Sequence, residues 1–250
     1  MQTRTRRKPA GAREADLGEL AKERLEDMAA AGARVVEVHR LLKKTGDNVV
    51  GEILKGQGKF YEWNHYPEGD VYDAESHSQY FYHAHAAGLR VSEHGHFHTF
   101  LRPKGMPQGI KPAPLPNLEL PEDENDILSH LVGISMNELG DPICLFTANR
   151  WVTGEVWYGA DDVCAMLDCF VIDHARPSWP TNRWISAMLR LFRPEIVELV
   201  HKRDAAVEEW KKKHPGTDVF EDRDLEITSY RLISVQDQID KVSRALAEQG

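Results

Sequence analysis

The chain has no run of about 18 consecutive apolar residues, the length a helix needs to cross a bilayer, so no transmembrane helix is expected. Cysteine is scarce: Cys144, Cys164 and Cys169 are an odd number with no CxxC pair, which excludes a disulfide framework and reads as buried, reduced thiols. The N-terminus, MQTRTRRKPAGAREADL, has basic residues but no apolar segment behind them, so it reads as a disordered basic tail over residues 1–15 and not as a secretory leader; the expected location is cytoplasmic. An excess of positive charge is also missing. The net charge is −9, so neither nucleic acid nor a membrane is expected as a partner, and a small-molecule substrate is; the sequence names no protein partner.

What is present is ample apolar material, 41% of 250 residues, with 6 Trp, 7 Tyr and 8 Phe. That suffices for one folded unit, taken as residues 16–250. Apolar residues at helical spacing predict a helix over 16–44, with Gly32 as a break, and a short helix in NVVGEILKG. The period then changes. KFYEWNHYP, SQYFYHAH, EHGHFHTFL, HLVGISMN, ICLFTANRWV and EVWYG are short and rich in aromatic and β-branched residues, as strands are. Turn residues in EWNHYPEGD and LGDP predict a turn and a hairpin. Helical patterns return in ADDVCAMLDCFVID, PTNRWISAMLRLF and PEIVELVHKRDAAVEEWKKK. A strand in LEITSYRLIS follows, and Ser234 with Asp237 predicts the start of a last helix. The fold class is therefore α+β: a central, mostly antiparallel sheet at about residues 59–158, flanked by N-terminal and C-terminal helices. Residues 102–125 hold six prolines and read as a long loop, either a lid or a surface excursion.

Seven of the twelve histidines fall between His65 and His98. Alternate residues of a strand share a face, so His94, His96, His98 and Phe100 point one way, as do Phe81, His83 and His85 on the preceding strand. About seven residues join the two, which permits an antiparallel pair and brings up to five imidazoles together. Close imidazolium groups repel and burial opposes each charge. Neutral imidazoles bound to a divalent transition metal (Zn, Fe, Cu or Mn) remove the conflict, so His83, His85, His94, His96 and His98 are the candidate ligands. Glu93, Glu75, Asp70 and Asp73 are carboxylates near enough in sequence to ligate, or to hold an imidazole proton. His130 becomes a further ligand if its strand lies beside His94–His98. Asn149 to Glu155 adds Arg150 as a clamp for a carboxylate or phosphate, and Glu155 as a general base. Their alternative is an ordinary Arg–Glu pair beside a packed Trp151.

HAAGLRVSEHGHFHTFLRP resembles the signature of the histidine-triad nucleotide hydrolases and transferases. The resemblance implies His96 as a nucleophile toward an α-phosphate, supported by His94 and His98. Gly95 and Thr99 stand where that signature has apolar residues, and a second HxH precedes it. The wider pattern of WNHYPEGDVYD, SQYFYHAH, EHGHFHTFL and NRWVTGE resembles a bacterial domain family of unknown function, which implies no mechanism. The cupin metal signature also has HxH on a strand, but its following Glu is missing from TFLRPKGMP. Three functions remain open: a metal-dependent enzyme, hydrolase or oxygenase, acting on a small polar substrate; a nucleotidyl hydrolase or transferase using His96; and a metal or cofactor carrier or sensor.

Overall fold

The computed structural model describes residues 17–85, 92–115 and 120–249. The tail expected at 1–15, the joint at 86–91 and part of the Pro-rich segment lie outside the described residues.

Six strands form one antiparallel sheet in sequence order: β1 (Tyr66–Tyr72), β2 (Ser78–His83), β3 (Gly95–Leu101), β4 (Ser129–Met136), β5 (Pro142–Ala148) and β6 (Ile227–Leu232). The helices are α1 (Lys22–Lys43), α2 (Val49–Leu54), α3 (Arg150–Thr153), α4 (Ala160–Met166), α5 (Trp179–Leu191), α6 (Arg193–Lys213) and α7 (Val235–Glu248). The α+β class expected from the sequence is the class observed. No helix among the described residues is long and apolar enough to cross a membrane.

Both central strands, β3 and β4, are buried along their whole length. One sheet face carries Tyr80, Tyr82, Phe97, Ile134 and Leu145 into the main core, where helices cover it. The Tyr80 hydroxyl donates to Asn182 Oδ1 of α5 at 2.6 Å, and Trp184 of the same helix lies 5.5 Å from Phe97. Ser229 of β6 donates to the Leu199 carbonyl of α6 at 2.8 Å. Each large apolar side chain buried here contributes about 1.5–3 kcal/mol. With the helices satisfied on that side, the other face of β2 and β3 is free for a different use, and it carries the histidines.

Several expectations need correction. Gly32 does not break α1. A Cβ there would come within 2.8 Å of Ile239 Cγ1 in α7, so the glycine serves close helix packing. The first strand begins at Tyr66, not Lys59, and the turn expected at Glu68–Asp70 is an irregularity within β1, with Gly69 and Asp70 at positive φ. The strand in ICLFTANRWV stops at Ala148, because Asn149 caps α3 by accepting from the Arg150 N–H, and EVWYG lies outside the sheet. The sheet thus spans Tyr66–Ala148 and gains β6 from the C-terminal part. The hairpin at LGDP joins β4 to β5, and the Ser234 side chain accepts from the Asp237 N–H to start α7. Two short 3-10 turns form at the ends of the Pro-rich segment, Pro103–Gly105 and Glu124–Asp126. None of the three cysteines is in a disulfide, and all are half-buried rather than fully buried; burial pushes the Cys164 thiol up to about 11, which leaves it unreactive near neutral pH.

Candidate metal centre

The register of β2 on β3 sets the site. His83 pairs with His96 and Phe81 with His98, so these four side chains share one face, and His85 follows two residues after His83. Ring centroids of His83 and His96 are 4.4 Å apart, His83 and His85 5.1 Å, and His85 and His96 5.1 Å. One ring nitrogen from each of His83, His85 and His96 lies within 4.8 Å of the other two. The Nε2 atoms of His83 and His85 are 3.2 Å apart. Two nitrogens on a tetrahedral metal, each at ~2.0–2.1 Å, would sit about 3.4 Å from each other, so the spacing fits a shared ion with little movement. His96 is 1% exposed, while His83 and His85 are half-buried, which leaves the group approachable from one side.

A carboxylate orients the deepest of the three. Glu93 Oε1 lies 2.7 Å from His96 Nδ1. A proton held on Nδ1 by that carboxylate leaves Nε2 as the lone-pair nitrogen, the arrangement that orients metal-binding histidines generally. Trp63, whose backbone is at φ 71°, packs its ring 4.4 Å from His85.

Behind the three lies a second layer. His98 is 4.7 Å from His96, and its Nδ1 is 3.0 Å from His130 Nε2. A bulge between Thr99 and Phe100 pairs Phe100 with His130 and turns that imidazole onto the histidine face, so β4 does lie beside β3 as the reading of His130 required. Phe146 crosses from β5 to reach both His96 and His98, at 5.1 and 5.6 Å. It passes over Gly133, where a Cβ would stand 2.3 Å from its ring. Burial, with Arg203 and His96 adding to it, pushes the His130 imidazole down to about 3, so it is neutral at ordinary pH. The His130 backbone N–H donates to Glu155, and burial pushes that carboxyl up to about 7 against the opposing effect of Arg203.

Of the residues singled out from the sequence, the structure brings His83, His85 and His96 together, sets His98 directly behind them, and places Glu155 one layer further back. His94 goes elsewhere. The regular ladder starts at Gly95, so strand alternation does not extend to His94, whose Nδ1 sits 2.6 Å from the Tyr82 hydroxyl on the opposite face. Arg150 also stands apart: its guanidinium pairs with Glu221 and not with Glu155. Trp151 donates its indole N–H to the Leu225 carbonyl at 2.9 Å, as a packing residue. The part of Arg203, buried at 2% and donating to the Tyr158 carbonyl, was not readable in advance, since nothing in the charge pattern of α6 separates it from its exposed neighbours.

The fold and site define an α+β protein with helices layered on an antiparallel sheet and a three-histidine group, able to hold a metal ion, on the strand pair β2–β3. By sequence, the chain belongs to the family described as Domain of unknown function (DUF6969), whose model matches residues 29–233. That agrees with the resemblance to an uncharacterised domain family, and nothing supports the histidine-triad resemblance. No curated protein and no solved structure matches the chain.

Proposed function

We propose that the protein is a metal-dependent enzyme of the cytoplasm acting on a small polar substrate, with a divalent transition metal held by His83, His85 and His96. The observation that carries this reading is the convergence of three imidazole nitrogens within 4.8 Å, one of them backed by a half-buried carboxylate. Three neutral nitrogen donors suit Zn, Cu and Fe, and three protein ligands with one approachable side match catalytic rather than closed structural sites. A metal so held supplies Lewis acidity, or an activated water or dioxygen. This chain's residues supply the rest: Glu93 fixes the His96 tautomer, and the aromatic wall of Phe81, Phe100 and Phe146 keeps the inner side dry.

The same geometry disfavours His96 as a nucleophile toward phosphorus. A nucleophilic imidazole needs an open path to its lone pair, and His96 is enclosed by two other histidines and Phe146. A carrier or sensor would bind metal without turnover; burial of His96 and His98 at 1% exposure favours a cleft over an exposed transfer site.

The test is elemental analysis of protein expressed in metal-replete medium, beside the His83→Ala and His96→Ala variants. One metal per chain in the wild type, and loss of it in both variants, is the expected result. A metal-free wild type, or variants that keep the full complement, would refute the proposal.

A further inference from the structure

A cavity of about 740 Å³ opens at the other end of the strand pair that carries the histidines. Gln79, Phe81 and His83 alternate along one face of β2, so Gln79, in the cavity wall, is four residues or roughly 13 Å from His83. Arg102 enters the wall directly after β3, the strand of His96. His65 belongs to both places: it lines the cavity, stacks on Phe81, and its ring is 5.9 Å from that of His83.

A hydrogen-bonded chain holds this wall in shape. Arg102 Nε donates to Gln79 Oε1 at 2.7 Å, Gln79 Nε2 donates to Asp70 Oδ2 at 2.7 Å, and Asp70 Oδ1 lies 3.1 Å from His65 Nδ1. Gln79 is buried, so both ends of its amide are committed and the guanidinium direction is fixed. Arg102 also donates from Nη1 to the Asn125 carbonyl and to Asp126, yet its Nη2 makes no hydrogen bond among the described residues. Lys59 sets its ammonium 5.3 Å from the Tyr61 ring, and no carboxylate among the described residues lies within ion-pair distance of it. Asp70 is occupied by Gln79 and His65. The wall therefore holds two cations, Arg102 (itself paired with Asp126) and Lys59, and two carboxylates, Asp70 and Glu68, of which Glu68 makes no side-chain hydrogen bond among the described residues; the donors left for a ligand are Arg102 Nη2 and the Lys59 ammonium. Asp70, at φ 60°, sits in a backbone conformation that costs energy for a residue with a side chain and recurs at functional sites.

We propose that this cavity is the substrate subsite of the histidine centre and that it takes a small organic carboxylate. The carboxylate meets Arg102 Nη2 and Lys59, the body of the molecule lies against Tyr61 and His65, and the reacting end faces His83. Glu68 on the same wall disfavours a second negative charge, which sets a carboxylate above a phosphate monoester. The inference rests on the reading of the histidine group as a catalytic centre.

Saturation-transfer NMR on the metal-loaded full chain tests it, with 3-phenylpropionate, its neutral amide and phenyl phosphate as probes. The acid should bind about tenfold or more tightly than the amide or the phosphate, and Arg102→Gln and Lys59→Gln should each weaken it about tenfold. Metal content, read by elemental analysis on the same samples, should not change. Lys59 is exposed, so its variant stays interpretable even if Arg102→Gln, which unties Gln79, fails to fold. Bound 3-phenylpropionate should also relax faster in Co²⁺-loaded than in Zn²⁺-loaded protein. Equal binding of acid and amide, preference for the phosphate, indifference to Lys59→Gln, or no cobalt effect each overturns the inference while leaving the metal centre standing. A chain that binds no metal at His83, His85 and His96 overturns the catalytic reading, and the cavity's role as a substrate subsite falls with it.

Discussion

Glu93 decides how His96 behaves. With Oε1 at 2.7 Å from Nδ1, the carboxylate holds one tautomer, and loss of such a partner ordinarily weakens metal affinity about 10–100-fold without removing a ligand. Glu93→Gln should therefore keep the fold and bind metal about 10–100-fold more weakly in a chelator competition titration. Affinity equal to the wild type would mean the carboxylate is a bystander. At this scale the sequence was informative where strand period two applied: HxH at 83–85 and His96 with His98 alternate as expected. It misled at His94, because alternation holds only inside a ladder and the ladder begins one residue later. Arg150 misled for another reason. A guanidinium can reach many carboxylates, and spacing alone does not tell Glu155 from the distant Glu221.

Elements β3, β4 and β5 are what bring buried histidines and Phe146 into contact, and Gly133 is where they touch. A Cβ at 133 would meet three ring atoms of Phe146, at 2.3, 2.5 and 2.7 Å, and the ring is wedged against His96 and His98. Gly133→Ala should cost about 1–3 kcal/mol in urea denaturation, in keeping with overpacking elsewhere. A change under about 0.5 kcal/mol, the ordinary scatter of surface substitutions, would mean the ring has room to move. Behind β4, Glu155 carries a pH signature. Its carboxyl is raised from 4.5 to about 7 by burial, so the folded state keeps a proton that the unfolded chain releases. Its contribution therefore favours folding below about pH 4.5, declines as pH rises, and is fully lost above about pH 7, a change of about 3 kcal/mol. Glu155→Gln removes this decline, so the variant should gain on the wild type between pH 5 and pH 8; a gap that stays constant across that range would contradict the assignment. The antiparallel sheet and the β4–β5 hairpin were legible from the short strands and turn residues, whereas the strand order, with β4 beside β3, was left open. The ends of β1 and β5 were not legible, because Asp70 at positive φ and the Asn149 cap override a run of aromatic residues that is otherwise strand-like.

For the whole molecule, helices cover one face of the sheet and leave the other to polar chemistry; the helix–strand–helix order of the sequence foretold the flanking helices, not this division of the two faces. If a metal bridges β2 and β3, folding and binding are linked, and metal at about 100 times its Kd adds about 2.7 kcal/mol of stability. A strong chelator should accordingly lower the melting temperature of the wild type and leave that of His83→Ala unchanged. The cavity of Arg102 and Lys59 was not foreseen at this scale, since its wall is drawn from the segment before β1, from β1 and β2 and from the residue after β3, and only the folded sheet sets them side by side. The most direct measurement is X-ray absorption at the edge of the bound metal. The account predicts three imidazole nitrogens at about 2.0–2.1 Å with any remaining ligand a light atom. A coordination shell made of sulfur, or of oxygen without imidazole scattering, would contradict it.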